Sequence, residues 1–144
     1  MLLWRPAPLA ENPVALEAAD VPAPTPAAGE LLVRVSVCGV CRTDLDLAEG
    51  RLAAPAYPVI PGHQVVGRVA GLGAGATGFR EGDRVGVAWI HSACGRCRYC
   101  ASGAENLCPH FMATGCDANG VSAEYLVVAA AFAHAIPGGL PDAA

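Results

Sequence analysis

The sequence predicts a mainly β domain, a small barrel or sandwich, on three observations. Residues 31–37 and 64–72 alternate apolar and polar side chains at period two, the pattern of strands with one buried face. Glycine (17) and proline (12) make up about a fifth of the 144 residues, roughly twice the usual share and unsuited to a helical bundle. At 53% apolar and 15% charged, the chain can bury one sizeable core and needs only one.

Taken in order, residues 1–6 read as a first strand, because no basic stretch precedes an apolar segment and no cleavage pattern follows. A cytoplasmic location is expected. The Ala/Pro-rich residues 21–28 are too short for an interdomain linker and read as a surface loop before the strand at 31–37. Residues 43–49 lack Gly and Pro and place Leu45 and Ala48 three apart, enough for one or two helical turns. Gly/Pro clusters at 55–62, 71–78 and 81–83 supply the turns around the strand at 64–72 and a valine-dense strand at 83–90. Residues 124–131 read as a strand or a strand running into a helix. The turn-like residues 137–144 lack a terminating feature and suggest a cut partway through a longer protein. No internal repeat is present.

Several functions are excluded by composition. A net charge of −4 without a basic stripe argues against nucleic acid or anionic lipid as the main partner. The longest nearly apolar run, 126–137, contains His134 and falls short of the roughly 20 residues that a membrane-spanning helix needs. Gly71-Leu-Gly-Ala-Gly-Ala-Thr-Gly78 follows a strand but leads into Glu81-Gly82-Asp83 rather than a helix, so it reads as a hairpin turn, not a dinucleotide loop.

The seven cysteines are an odd number and locally clustered, which suits metal binding better than disulfides. Cys94, Cys97, Cys100 and Cys108 follow a C-x2-C-x2-C-x7-C spacing that lets a short lobe curl around one zinc ion. Filling all four positions with protein leaves no room for water or substrate, so the site is structural. Arg96 and Arg98 stand where they can offset the anionic cage. An iron–sulfur cluster is the rival, but its usual run has a spacer of about three residues before the last cysteine and a second run for a second cluster. Cys41 and His63 fall at the ends of neighbouring strands and could meet as thiolate and imidazole. From spacing alone, a buried thiol and a hydrogen-bonded core histidine are equal alternatives. Cys38 is expected to pack in the core.

The order and spacing of Cys38-Gly-Val-Cys41-Arg-Thr-Asp44, Pro61-Gly-His63, Gly82-Asp-Arg-Val-Gly86, the four-cysteine lobe, Glu105-Asn-Leu-Cys108, Thr114-Gly115 and Ala123-Glu-Tyr125 resemble those of zinc-dependent alcohol dehydrogenases of the medium-chain dehydrogenase/reductase family. The resemblance covers nearly the whole chain. It implies that residues 1–144 form the N-terminal catalytic domain, a GroES-like, partly open β-barrel with short helices and a structural-zinc lobe at about 91–112. It also implies that Cys41 and His63 are two of three ligands of a catalytic zinc, the third being a cysteine shortly after position 144. Metal at this incomplete pair is therefore expected to be weak or absent. By the same resemblance Thr43 is the hydroxyl that bonds the substrate oxygen, Asp44 the carboxylate that orients His63, Arg42 the contact to the cofactor pyrophosphate and Trp89 an aromatic wall. The plainer roles are a helix N-terminal acid for Asp44, a solvated side chain for Arg42 and core packing for Trp89.

Departures from the family pattern carry expectations of their own. Gln64 replaces a glutamate beside the histidine, and Asp46 stands where a relay histidine is common, offering a proton acceptor of lower pKa. Val121 replaces a glycine, and its β-branch would resist a positive φ. Cys116 falls where an aromatic is common. The family's reaction is NAD- or NADP-linked oxidoreduction of an alcohol or aldehyde. Without a cofactor-binding Rossmann domain this chain alone is expected to be inactive and to self-associate through a cleft left open around Trp89, Leu45 and residues 126–136. The alternative is a stand-alone zinc-binding module with a scaffold role.

Overall fold

A computed structural model describes residues 1–143; Ala144, the last residue of the expected domain, lies outside the described residues. Seven strands and one α-helix follow in the order β1 (Glu30–Gly39), α1 (Arg42–Ala48), β2 (Gln64–Leu72), β3 (Arg84–Val87), β4 (Ile90–Ser92), β5 (Met112–Ala113), β6 (Tyr125–Ala129) and β7 (Ala133–Ala135). Five of them form an antiparallel sheet ordered β6-β1-β2-β3-β7, and β4 and β5 pair as a separate ribbon. Strands β6 and β7 occupy opposite edges of the sheet, yet only the 3₁₀ turn Ala130–Phe132 separates them in the chain. The sheet must therefore curl until its edges nearly meet, giving a mainly β, GroES-like, partly open barrel with few helices.

The period-two alternation becomes the two faces of this sheet. Leu31, Val33, Val65, Val69, Val85 and Val128 point inward and are buried together, each contributing about 1.5–3 kcal/mol by leaving water. A second cluster joins Leu3, Leu47, Ala48, Val59, Ala113 and Cys116, with Trp89 and Phe111 packed against it. Helix α1 belongs to this cluster through Leu47 and Ala48.

Several elements differ from the sequence expectation. Residues 1–6 make only isolated pairings, Leu2 with Glu17 and Leu3 with Val59. Pro6 and Pro8 lack the N–H that a continuing ladder needs. The segment 83–90 divides at Ala88-Trp89 between the barrel sheet and the ribbon. Residues 124–131 resolve into strand β6 followed by a 3₁₀ turn. Cys38 is exposed rather than in the core. A register shift at Ser36, between Val35 and Val37, pairs Cys38 with Val65 at the open end of the sheet, where nothing covers it. Around the cleft expected at Trp89, Leu45 and 126–136, Leu126 and Val128 are buried in the barrel, Trp89 is half-buried and Leu45 is exposed. Val121 is fully buried, and positive φ values among the described residues occur only at glycines.

Backbone also packs closely just ahead of β2. A Cβ on Gly120 would stand 2.0 Å from the carbonyl oxygen of Gly62 and 2.8 Å from that of Pro61. Gly120→Ala is expected to cost about 1–3 kcal/mol of stability in urea unfolding. Gly138→Ala, which meets nothing within 4 Å, should leave the midpoint unchanged.

Candidate functional site

Where β1 ends, the chain turns at Cys41 and enters α1, whose third residue is Asp44. The carboxylate of Asp44 accepts the backbone N–H of Cys41 at 2.8 Å through Oδ2 and that of Gly62 at 3.1 Å through Oδ1. The same Oδ1 lies 3.5 Å from Nδ1 of His63. One side chain thus ties the Cys41 turn to the strand that presents His63. This goes beyond the role of a helix N-terminal acid. With Nδ1 facing a carboxylate, Nε2 is the ring nitrogen left to accept or ligate.

His63 is only 5% exposed, and its ring packs edge-on against Trp89 with centroids 4.9 Å apart. Phe111 lies 6.4 Å beyond Trp89, a second aromatic that spacing did not single out. Gly62, at φ +94°, gives His63 its approach: a Cβ there would strike Val121 Cγ2 at 2.9 Å. In the sequence Pro61-Gly62 reads only as a turn, because its closest neighbour comes from residue 121. Thr43 sits on the same turn, its Oγ1 3.8 Å from Cys41 Sγ.

Asp46 has other partners. Its Oδ1 accepts from Arg51 Nε at 2.6 Å and Arg42 Nε at 3.2 Å, and Arg51 also pairs with Glu49. The hydrogen bond from Arg51 is the main cause that holds the Asp46 carboxyl below its ordinary pKa; desolvation opposes it, and the hydrogen bond from Arg42 adds to it. Asp46 thus meets two guanidinium groups, which favour its ionised form. The partnership with Arg51 was hidden because the helix ends at Ala48 and the chain doubles back, giving a spacing of five that no helical pairing rule covers.

The four-cysteine lobe hangs from the β4–β5 ribbon. The sulfurs of Cys94, Cys97, Cys100 and Cys108 all lie within 4.8 Å of one another. Cys94 and Cys100 are 3.9 Å apart, and Cys97 and Cys100 3.6 Å apart. A tetrahedron of sulfurs at ~2.3 Å from zinc has edges of ~3.8 Å, so the lobe fits that ion in size and in donor type. Backbone N–H groups of Cys94 and His110 point at Cys108 Sγ from 3.5 and 3.3 Å. Arg98, expected to offset the cage charge, instead lies over the Tyr99 ring at 4.6 Å and donates to its hydroxyl. The backbone does that work: N–H groups of Arg96 and Cys97 draw the Cys94 thiol down to about 6. Burial, and then the neighbouring Cys97, pushes Cys100 up to about 12.

Among the described residues this is the group of three or more His, Cys, Asp or Glu donors that could share an ion. Cys41 and His63 supply a thiolate and an imidazole, suitable zinc donors but two rather than three. Cys116 is buried with Sγ 3.7 Å from the Ala53 carbonyl, and burial raises its pKa, making it an inert packing thiol. A cavity of about 830 Å³ runs beside β6 against His91 and Asn119 and includes neither Cys41 nor His63. No helix among them is long and apolar enough to cross a membrane.

A curled GroES-like barrel carrying a four-thiol metal lobe and a Cys–His pair on strand ends defines the class: the catalytic domain of medium-chain, zinc-dependent dehydrogenases. Residues 27–138 match the alcohol dehydrogenase GroES-like domain family, and the chain belongs to it. It is 51% identical over 143 residues to the probable alcohol dehydrogenase AdhA of Mycobacterium tuberculosis, a match covering 96% of this chain and 41% of that protein. A solved NAD-dependent alcohol dehydrogenase superposes with TM-score 0.87 at 32% identity, over 98% of this chain and 40% of that one. A cobalt- and zinc-bound thermostable alcohol dehydrogenase from Pyrobaculum aerophilum gives 0.83 at 33% identity, over 93% and 40%. The chain spans about two fifths of the length of these relatives.

The lobe is expected to bind one zinc per chain, with affinity on the order of 10–16 kcal/mol at neutral pH. Because the Cys100 thiol, pushed up to about 12, is protonated before metal arrives, binding at pH 7 should release at least one proton, read as a buffer-dependent enthalpy in calorimetry. Affinity should fall as pH falls. Cys97→Ser should lose most of the metal in elemental analysis and lower the melting temperature; iron as the dominant metal would contradict the assignment.

Proposed function

We propose that these residues are the substrate-side half of a cytoplasmic, NAD- or NADP-linked alcohol dehydrogenase, with residues 1–144 as its GroES-like catalytic domain. The observation that carries the reading is the Asp44 carboxylate, which holds the Cys41 backbone, the Gly62 backbone and the His63 ring around one point. An ordinary core histidine does not need a carboxylate shared with a cysteine turn. Family membership supports the reading and supplies the reaction class.

In the proposed site Cys41 and His63 hold zinc together with a third donor from outside these residues. Zinc so held would supply Lewis-acid polarisation of an alcohol or aldehyde oxygen, and the nicotinamide would exchange the hydride. The chain's own residues act around that centre. Asp44 Oδ1, 3.5 Å from His63 Nδ1, favours the tautomer with its proton on Nδ1 and leaves Nε2 free to ligate. Thr43 Oγ1, beside Cys41, donates to the substrate oxygen and passes its proton outward. Trp89 closes one side of the pocket against the His63 ring and excludes water. Arg42, whose Nε donates to Asp46 Oδ1 at 3.2 Å, faces the cofactor diphosphate. Asp46 serves here as the partner that holds Arg42, and the proton leaving Thr43 passes to solvent. Val40 and Leu45, both exposed, flank the Cys41 turn and offer apolar surface to a second domain or a second copy.

Two experiments test this. The zinc-loaded 144-residue chain should neither bind NADH in a fluorescence titration nor oxidise a panel of primary alcohols, because hydride transfer needs both reactants held in one geometry. Set into AdhA of Mycobacterium tuberculosis in place of the matching residues, the segment should support turnover. In that chimera Cys41→Ser or His63→Ala should abolish activity and loss of catalytic metal should accompany it. Asp44→Asn should cost about 10–100-fold, as removal of a ligand's supporting carboxylate does. A chimera indifferent to Cys41 and His63 would leave the scaffold reading in its place.

A further inference from the structure

The outer face of the barrel sheet carries a row of arginines that the proposed chemistry does not use. In the β1–β2 register Arg34 stands directly opposite Arg68, and in the β2–β3 register Arg68 stands directly opposite Arg84. Tyr125 of β6 continues the row on the far side of Arg34. Three of the chain's nine basic side chains thus line up across three adjacent strands in a protein of net charge −4. Like charges directly opposite one another weaken a sheet, so the arrangement is not one that stability alone favours.

Two of the nearby acids are engaged elsewhere. Glu30 accepts the backbone N–H of Ala27, and Asp83 pairs with Arg80. Among the described residues Arg34 and Arg68 have no carboxylate partner; Arg68 donates only to the Gly82 carbonyl. The end of the row shows what these groups take. Arg84 Nε lies 2.7 Å from Asp142 Oδ1, and its Nη1 donates to the Pro137 carbonyl, so a carboxylate on a turn-like stretch of polypeptide is already seated there. Even so, the Arg84 side chain is only 13% exposed, Nη2 is buried with no acceptor, and the Nε hydrogen is not directed at Asp142. The guanidinium has donors to spare.

We propose that the row Arg34–Arg68–Arg84 is a docking surface for an acidic, extended segment of a partner protein. Its carboxylates would pair with Arg34 and Arg68 as Asp142 pairs with Arg84. Rungs across a sheet are about 4.8 Å apart, and carboxylates on one side of an extended peptide repeat at about 6.8 Å, a difference that long arginine stems absorb. A long polyanion fits less well, since the acidic remainder of the surface repels whatever extends beyond the row.

The test uses the zinc-loaded, ¹⁵N-labelled chain titrated at low salt with an eight-residue alternating Glu–Thr peptide and its Gln–Thr counterpart. Expected are saturable amide shifts confined to residues around 34, 68, 84 and 125, weakened by added salt and absent with the Gln peptide. The double variant Arg34→Ser/Arg68→Ser should weaken binding about tenfold while leaving the melting temperature unchanged or raised. No shifts, shifts elsewhere, equal binding of the Gln peptide, or a double variant that binds normally but melts lower would each overturn the proposal. Tighter binding of single-stranded oligothymidylate than of the Glu peptide would overturn it in favour of nucleic acid.

Discussion

The site depends on one carboxylate. Asp44 bonds both segments from which the candidate ligands come, accepting from Cys41 N at the helix entrance and from Gly62 N at the start of β2. Its position as the third residue of α1 makes the first bond a local consequence of helix capping. The second requires that Gly62 come within reach, which requires a positive φ there and no side chain at Gly120. The chemistry of His63 therefore rests on backbone packing between residues 62 and 120 as much as on Asp44 itself.

Much of this was legible in the sequence, for reasons that differ from element to element. Strands β1 and β2 follow from alternation because one face of each is buried and the other is not. The metal lobe follows from spacing because all four donors lie within fifteen residues and little else in the fold decides their meeting. Cys38 was misplaced because a bulge at Ser36 changes where the last residues of β1 fall, and bulges leave no mark on a hydrophobic pattern. The single stretch 83–90 became parts of two sheets because Trp89 turns to meet His63, a contact between residues 26 apart in sequence. The role of Asp46 was obscured by a partner, Arg51, that lies beyond the helix end.

Charge is handled differently at the four-cysteine lobe and at the Cys41 turn. In the lobe, backbone N–H groups supply the positive ends of dipoles around the sulfurs, and the nearby arginine is spent on Tyr99. Beside Cys41 the charges are whole ones: Arg42, Asp46, Arg51 and Glu49 form a chain of ion pairs open to solvent. Exposed pairs of this kind add little stability. Their effect is to hold side chains in place, and a held Arg42 loses less freedom when an anion arrives.

The near contact of Gly120 with Gly62 also sets an order of events during synthesis. Ile60, Gly62 and His63 leave the ribosome well before residues 115–122, whose backbone donates to the carbonyls of Ile60, Pro61 and Gly62. At usual elongation rates the histidine segment waits roughly three to eleven seconds for the strand neighbours that fix it. The zinc lobe faces no such delay, since its last donor, Cys108, follows its first closely. A metal ion can therefore fasten the lobe while β6 and β7 are still unmade, so the nascent barrel closes around a knob that is already rigid.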